Sequence, residues 1–157
     1  MVAGVAVQAL CVHDFPRIVA LAEESASSGD VFGYEQRTVR EWLQNGSGLL
    51  LGAFGIAKRD LVGVCLGLID VPTRDVGVTV LYVSPRARRC GVGSALLGGA
   101  VARAHACGCN RVWLHTRVVD VEVRRFMGTK GFVENGTYTY HEIRLALGGD
   151  EERSAFA

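Results

Sequence analysis

The stretch Val80-Leu81-Tyr82-Val83-Ser84-Pro85-Arg86-Ala87-Arg88-Arg89-Cys90-Gly91-Val92-Gly93-Ser94 decides how the rest of the chain is read. A largely apolar run ends at Val83, a turn carrying Arg86, Arg88 and Arg89 follows, and Gly91 and Gly93 open an alanine- and leucine-rich segment. The pattern predicts strand, basic turn and helix in that order. The first turn of a helix presents N–H groups that have no partner inside the helix, at the positive end of its dipole. Glycine there removes the side chains that would hold an anion away from the main chain. The three arginines gather charge at the same mouth, so the expected ligand is a diphosphate. A tight strand–helix turn with solvated arginines would use some of the same residues, but would not need strand, arginines and helix to coincide. No Gly-Lys-Ser/Thr closes the stretch, so it is not a Walker loop. The third glycine and following acidic residue of the dinucleotide fingerprint are missing too. Cys90 at the helix start is a candidate reactive thiol; a small filler inside the turn is the reading favoured here. A branched side chain at Gly91 is expected to block the anion and leave the fold intact.

Upstream, residues 49–57, 61–71 and 76–83 are strand-like runs joined by Lys58-Arg59-Asp60 and Pro72-Thr73-Arg74-Asp75, which predicts antiparallel hairpins. Downstream, residues 91–107 read as a helix whose Gly98 and Gly99 imply close packing on a sheet. Residues 111–116 then read as a strand parallel to the one before that helix. A helix over 120–130, closed by Gly131, precedes two last strands, 132–134 and 138–145, around an Asn135-Gly136 turn. At the front, 5–10 read as a strand. Asp14 and Pro16 read as cap and first turn of a helix reaching Ser25. Residues 34–44 read as a second helix, with Val39, Trp42 and Leu43 on one side. The order is β-α-α-β-β-β-α-β-α-β-β with no repeat and no linker. It predicts one α/β (α+β) domain over 1–147 and a loose tail over 148–157.

The 157 residues are 49% hydrophobic and 21% charged, enough for one buried core and too apolar for global disorder. Lys+Arg total 17 and Asp+Glu 16, a net charge of +1 that argues against a general nucleic-acid binder. No uninterrupted apolar run reaches the ~18 residues of a membrane span. The first residues lack the basic and apolar regions of a signal peptide. The five cysteines, Cys11, Cys65, Cys90, Cys107 and Cys109, are odd in number and irregularly spaced. They read as reduced thiols of a cytoplasmic protein. Cys107-Gly108-Cys109 near His105 lacks zinc spacing, and no metal is expected.

Val83-x-Pro85-x-x-Arg88-x-x-Gly91-x-Gly93 resembles motif A of the GCN5-related N-acetyltransferases (GNAT), and the order of elements resembles their fold. Asp120-x-x-Val123-x-x-Phe126-Met127-x-x-x-Gly131-Phe132 is similar to motif B of that superfamily. The resemblance, which covers about 49–145, implies a single-domain GNAT fold: a mixed, mostly antiparallel sheet with a parallel, splayed pair of fourth and fifth strands. It implies an N-acetyltransferase using acetyl-CoA or another short acyl-CoA. The backbone of Arg89, Cys90, Gly91, Val92, Gly93 and Ser94 would hold the pyrophosphate, with Arg88 beside it. A bulge near 81–83 would leave Leu81, Tyr82 and Val83 to meet pantetheine along the strand edge. Asp120 and Phe126 would touch the same coenzyme. The Val83 N–H is the candidate oxyanion donor. Phe126 and Phe132 also read as core residues.

Two positions depart from the family pattern. Residues 76–83 hold no carboxylate where relatives often carry a catalytic Glu, and Met127 stands where many have an acidic Tyr. Three explanations stay open: catalysis by alignment and water, another acid or base (Tyr138, Tyr140, His141 or Glu134), or acyl-CoA binding without turnover. His115 ends the fifth strand near the expected cleft, where a structural histidine is the reading favoured here; Tyr82 reads either as facing the acceptor or as core. Phe32, Tyr34 and Glu35, with His115 and the last hairpin, are the candidate acceptor-binding residues. The expected acceptor is a small-molecule amine, with a peptide N-terminus or lysine as the rival. Relatives are often dimers, so a homodimer is compatible; no nucleic acid or membrane partner is expected.

Overall fold

The computed structural model describes residues 4–27, 36–115, 121–134 and 140–145. In chain order they form β1 (Val5–Ala9), α1 (Phe15–Ser27), α2 (Gln36–Asn45), β2 (Leu49–Gly55), β3 (Leu61–Asp70), β4 (Asp75–Val83), α3 (Val92–Ala106), β5 (Arg111–His115), α4 (Val121–Thr129), β6 (Val133–Glu134) and β7 (Tyr140–Arg144). Short 3-10 turns at Val12–Asp14 and Pro85–Ala87 precede α1 and α3. The element order is the expected one. Asp14 acts differently in detail: its carboxylate accepts the Cys11 backbone N–H at 2.9 Å and so closes the 3-10 turn ahead of α1.

The seven strands make one sheet in the order β1-β2-β3-β4-β5-β7-β6. β1 to β4 are antiparallel neighbours, β4 and β5 are parallel, and β7 pairs antiparallel with both β5 and β6. Short connections can only return the chain antiparallel, whereas α3 carries it back across the sheet for a parallel strand. The last hairpin joins β6 to β7 with Val133 opposite Glu142 and Glu134 opposite His141. The expected Asn135-Gly136 turn and the tail 148–157 lie outside the described residues.

Each face of the sheet buries its own core. Leu96, Leu97, Ala100 and Ala104 of α3 pack on Leu49, Cys65, Val76 and Val112. Helix and sheet approach closely there: a Cβ added at Gly99 would meet Leu51 at 3.0 Å and Val7 at 3.3 Å. On the other face, Ile18 and Leu21 of α1 and Val39 and Leu43 of α2 pack on Leu50, Phe54, Val64 and Leu66, with Trp42 partly buried beside them. Among the described residues no helix is long and apolar enough to cross a membrane.

The β4 strand is irregular at one point. Leu66 of β3 faces Val80 while Gly67 faces Val78, so Thr79 is an extra residue. Its Oγ1 donates to the Leu66 carbonyl at 2.9 Å where the ladder is interrupted. Side chains alternate between faces along a strand, so one extra residue exchanges the faces beyond it. Val76 and Val78 accordingly lie in the α3 core, Val80 and Tyr82 in the α1–α2 core, and Leu81 and Val83 again pack toward α3. The bulge was expected near 81–83; it sits at Thr79, immediately after the point where β4 leaves β5. Among the described residues their pairing runs from Asp75–Arg111 to Val78–Leu114 and no further. Beyond Val78, one edge of β4 is open.

Candidate active site

The open edge carries usable hydrogen-bonding groups. Ser84 N–H donates to Val62 O at 2.8 Å, so the backbone groups of Tyr82 and Ser84 face β3. The alternation of an antiparallel ladder then turns those of Leu81 and Val83 toward the opening. The Val83 carbonyl accepts Nε–H of Arg88 at 2.9 Å.

The turn that follows is built to expose a helix start. Arg89 and Gly91 adopt left-handed φ values of 59° and 78°. Gly91 is the N-cap of α3 and supplies no side-chain cap. The N–H groups of Val92, Gly93 and Ser94 are therefore the free donors of a new helix. At Gly93 an added Cβ would sit 3.4 Å from Phe126 Cζ and 4.0 Å from Val83 Cγ2, within ordinary contact. Glycine is thus not required there by the protein's own packing; the space above it is available to a ligand. These groups line a cavity of ≈ 580 Å³ between α3 and α4. Leu81 and Val83 form one wall, Arg88, Arg89, Gly91, Val92, Gly93 and Ser94 the turn, and Phe126 and Met127 the α4 side.

Several expected site residues lie elsewhere. Tyr82, though its neighbours line the cavity, is turned to the opposite face by the Thr79 bulge; it is 6% exposed, and its hydroxyl donates to Glu24 of α1 at 3.2 Å. The Arg88 guanidinium lies 5.7 Å from the centre of the Tyr82 ring. Arg86 leaves the mouth to pair with Asp60, and that guanidinium holds the Asp60 carboxyl below its usual range. Cys90 is exposed and does not line the cavity, so it is not a filler inside the turn. Glu134 is held by both nitrogens of an Arg124 fork, at 2.6 and 3.0 Å, which occupies it as an acid–base candidate. Gly91 needs its positive φ, so a branched residue there would strain the turn as well as obstruct it.

Phe32, Tyr34, Glu35, Asp120 and Tyr138 lie outside the described residues. His115 and Tyr140 pair in the backbone register of β5 and β7, at the end of β5 where the opening begins.

Further residues were missed in the sequence. Ala87, Glu122, Val123, Arg125 and Thr129 line the cavity with Phe126. Spacings of three and four put Glu122, Arg125, Phe126 and Thr129 on one helix side, a signal the sequence did contain. Glu122 meets Arg89 across the mouth at 3.4 Å, with both side chains 85% exposed. Away from the cavity, Glu24 is delivered to Tyr82 of β4 by α1; nothing near it in sequence announced that contact. Cys65, deep under α3, has its thiol pushed up to about 12 by burial.

A sheet opened along one strand, with an uncapped helix start at the mouth of the opening, defines an anion-binding α/β domain of the acyltransferase class. The chain belongs to the acetyltransferase (GNAT) family, whose model matches residues 16–132. That family uses acetyl-coenzyme A. An uncharacterized N-acetyltransferase of Mycobacterium tuberculosis is 35% identical over 80 residues, 51% of this chain and 51% of its own. The chain thus spans about half the length of the curated relatives it matches. The PaiA N-acetyltransferase of Thermoplasma acidophilum, solved with coenzyme A, superposes with a TM-score of 0.69 at 19% identity, covering 89% of this chain and 98% of that one. The ribosomal-protein-S18-alanine N-acetyltransferase of Escherichia coli superposes with 0.76 at 16% identity, covering 93% and 97%. At such identities the two structures establish the fold.

Proposed function

We propose that this chain transfers an acetyl group from acetyl-coenzyme A to a primary amine, and that the amine belongs to a small molecule. The observation that carries the reading is the continuity of two main-chain surfaces: the open β4 edge at Leu81 and Val83 runs directly into the uncapped start of α3. The residues fit the coenzyme. N–H groups of 92–94 suit a diphosphate, the strand edge suits an extended amide chain, and Leu81, Val83 and Phe126 give an apolar wall. When bound, acetyl-coenzyme A supplies an activated acyl group and a thiol of pKa about 8.5 as leaving group.

The chain's own work is mostly alignment and polarisation. Holding two reactants in register lowers a barrier by as much as ~7–11 kcal/mol. The Val83 N–H, fixed on the open edge, is the donor for a developing oxyanion. The splayed half of β4 has no carboxylate, and Met127 is 1% exposed in the core, so neither usual acid–base position contributes. A missing general base forgoes about 10²–10⁴-fold, which predicts modest turnover that rises with pH as the free amine forms. The proposal places the chain in the cytoplasm, where its thiols would stay reduced.

Calorimetric titration with acetyl-coenzyme A, followed by a thiol-release assay over small amines and over peptides, tests this. Binding with thiol release on small amines supports the proposal. Release only on peptides moves the acceptor to proteins, and binding with no release on any amine makes the chain an acyl-coenzyme A sensor.

A further inference from the structure

We infer that Arg88 serves the coenzyme site as a positioning residue, pinning the end of the open β4 edge, and does not contribute its charge to a phosphate. The inference rests on the function proposed above. Arg88 is one of three arginines in the turn, and charge alone would aim all three at an anion. The coordinates separate them. Arg86 is turned away to Asp60, and Arg89 is solvated beside Glu122. Arg88 directs Nε–H inward to Val83 O at 2.9 Å and places its guanidinium plane by the Tyr82 ring.

The bond falls at a decisive place. Val83 O belongs to the same peptide group as Ser84 N–H, which donates to Val62 O at 2.8 Å. That peptide is held from both sides, by β3 on one and by Arg88 on the other. Its orientation fixes the Val83 carbonyl on the open edge, next to the Val83 N–H, and the direction in which the chain enters the Arg89–Gly91 turn. Arg88 also occupies the last outward carbonyl of β4, so an extended ligand can pair with Leu81 and with the Val83 N–H, and strand-like pairing ends there. The guanidinium thus divides the edge that suits an amide chain from the helix start that suits a diphosphate.

Substitution separates pinning from charge. The amide nitrogen of glutamine stands as many bonds from Cα as arginine Nε, so Arg88→Gln keeps the donor and loses the charge. Arg88→Lys keeps the charge and moves the nitrogen one atom outward. Coenzyme A binding is measured by calorimetry, with amide exchange of residues 91–94 followed in the free protein. Arg88→Gln should bind within about fivefold of wild type, the loss reflecting the ring contact. Arg88→Lys and Arg88→Ala should lose at least about tenfold, as expected for a hydrogen bond to a charged group, and should exchange faster at 91–94. The reverse ranking, with Lys retained and Gln lost, overturns the inference and makes Arg88 a phosphate ligand. Equal binding by all variants, or failure of Arg88→Gln to fold, overturns it as well. If wild type itself ignores coenzyme A, the proposed function falls and this inference with it, so the two failures are distinguishable.

Discussion

Replacing Gly93 by valine tests the coenzyme site with little disturbance of the fold. Gly93 lies in the first turn of α3 without a positive φ, whereas Gly91 at 78° would itself cost about 1–2 kcal/mol with any β-carbon. A Cβ at 93 finds Phe126 at 3.4 Å and Val83 at 4.0 Å, so alanine fits and the two methyls of valine extend into the cavity. A diphosphate could then no longer reach the N–H groups of 93 and 94. Two hydrogen bonds to a charged group are worth about 1.5–3 kcal/mol each, so Gly93→Val should weaken coenzyme A binding by about 3–6 kcal/mol, roughly 10²–10⁴-fold. Thermal unfolding should change little, and Gly93→Ala should be at least as stable as wild type because glycine is the poorer helix former. Calorimetry of both variants against wild type, with circular dichroism as the check on folding, gives the answer. A folded Gly93→Val protein that binds coenzyme A within about threefold of wild type would refute the placement of the diphosphate at this turn.

Three further outcomes are expected. Thr79→Val removes the hydroxyl that donates to Leu66 O at 2.9 Å and should cost about 1 kcal/mol in urea unfolding with an unchanged slope; no loss would mean the hydroxyl does not support the bulge. Leu96→Ala, at a side chain with no exposure under α3, should cost about 2–5 kcal/mol, read by the same titration. Asp60 is held below the usual carboxylate range by Arg86, so its contribution is present above the unfolded value of about 4 and is lost as pH falls through the lower folded value. Asp60→Asn should therefore lower stability at neutral pH by at most about 1 kcal/mol for so exposed a pair. The difference from wild type should begin to close near pH 4 and vanish once the pH is below the depressed folded value; a difference that persists there would refute the linkage.

What the amino-acid order decided by itself was local. The apolar, β-branched run 76–83, the arginine turn and the paired glycines at 91 and 93 specify strand, turn and uncapped helix start from neighbours alone, because unpaired N–H groups and glycine's freedom depend on nothing distant. The same holds for the hairpins of β2, β3 and β4, whose connections are too short for any other return. The three-and-four spacing of Glu122, Arg125, Phe126 and Thr129 was equally legible and was passed over. What only the tertiary structure decided was where side chains end. The Thr79 bulge is a relation between two strands, and no single-strand pattern shows it, yet it sends Tyr82 to one face and Leu81 and Val83 to the other. The partners of Tyr82 and Arg86 lie 58 and 26 residues away in the chain. Register and long-range pairing, which sort three neighbouring arginines into three different tasks, exist only once the sheet has closed its ladders.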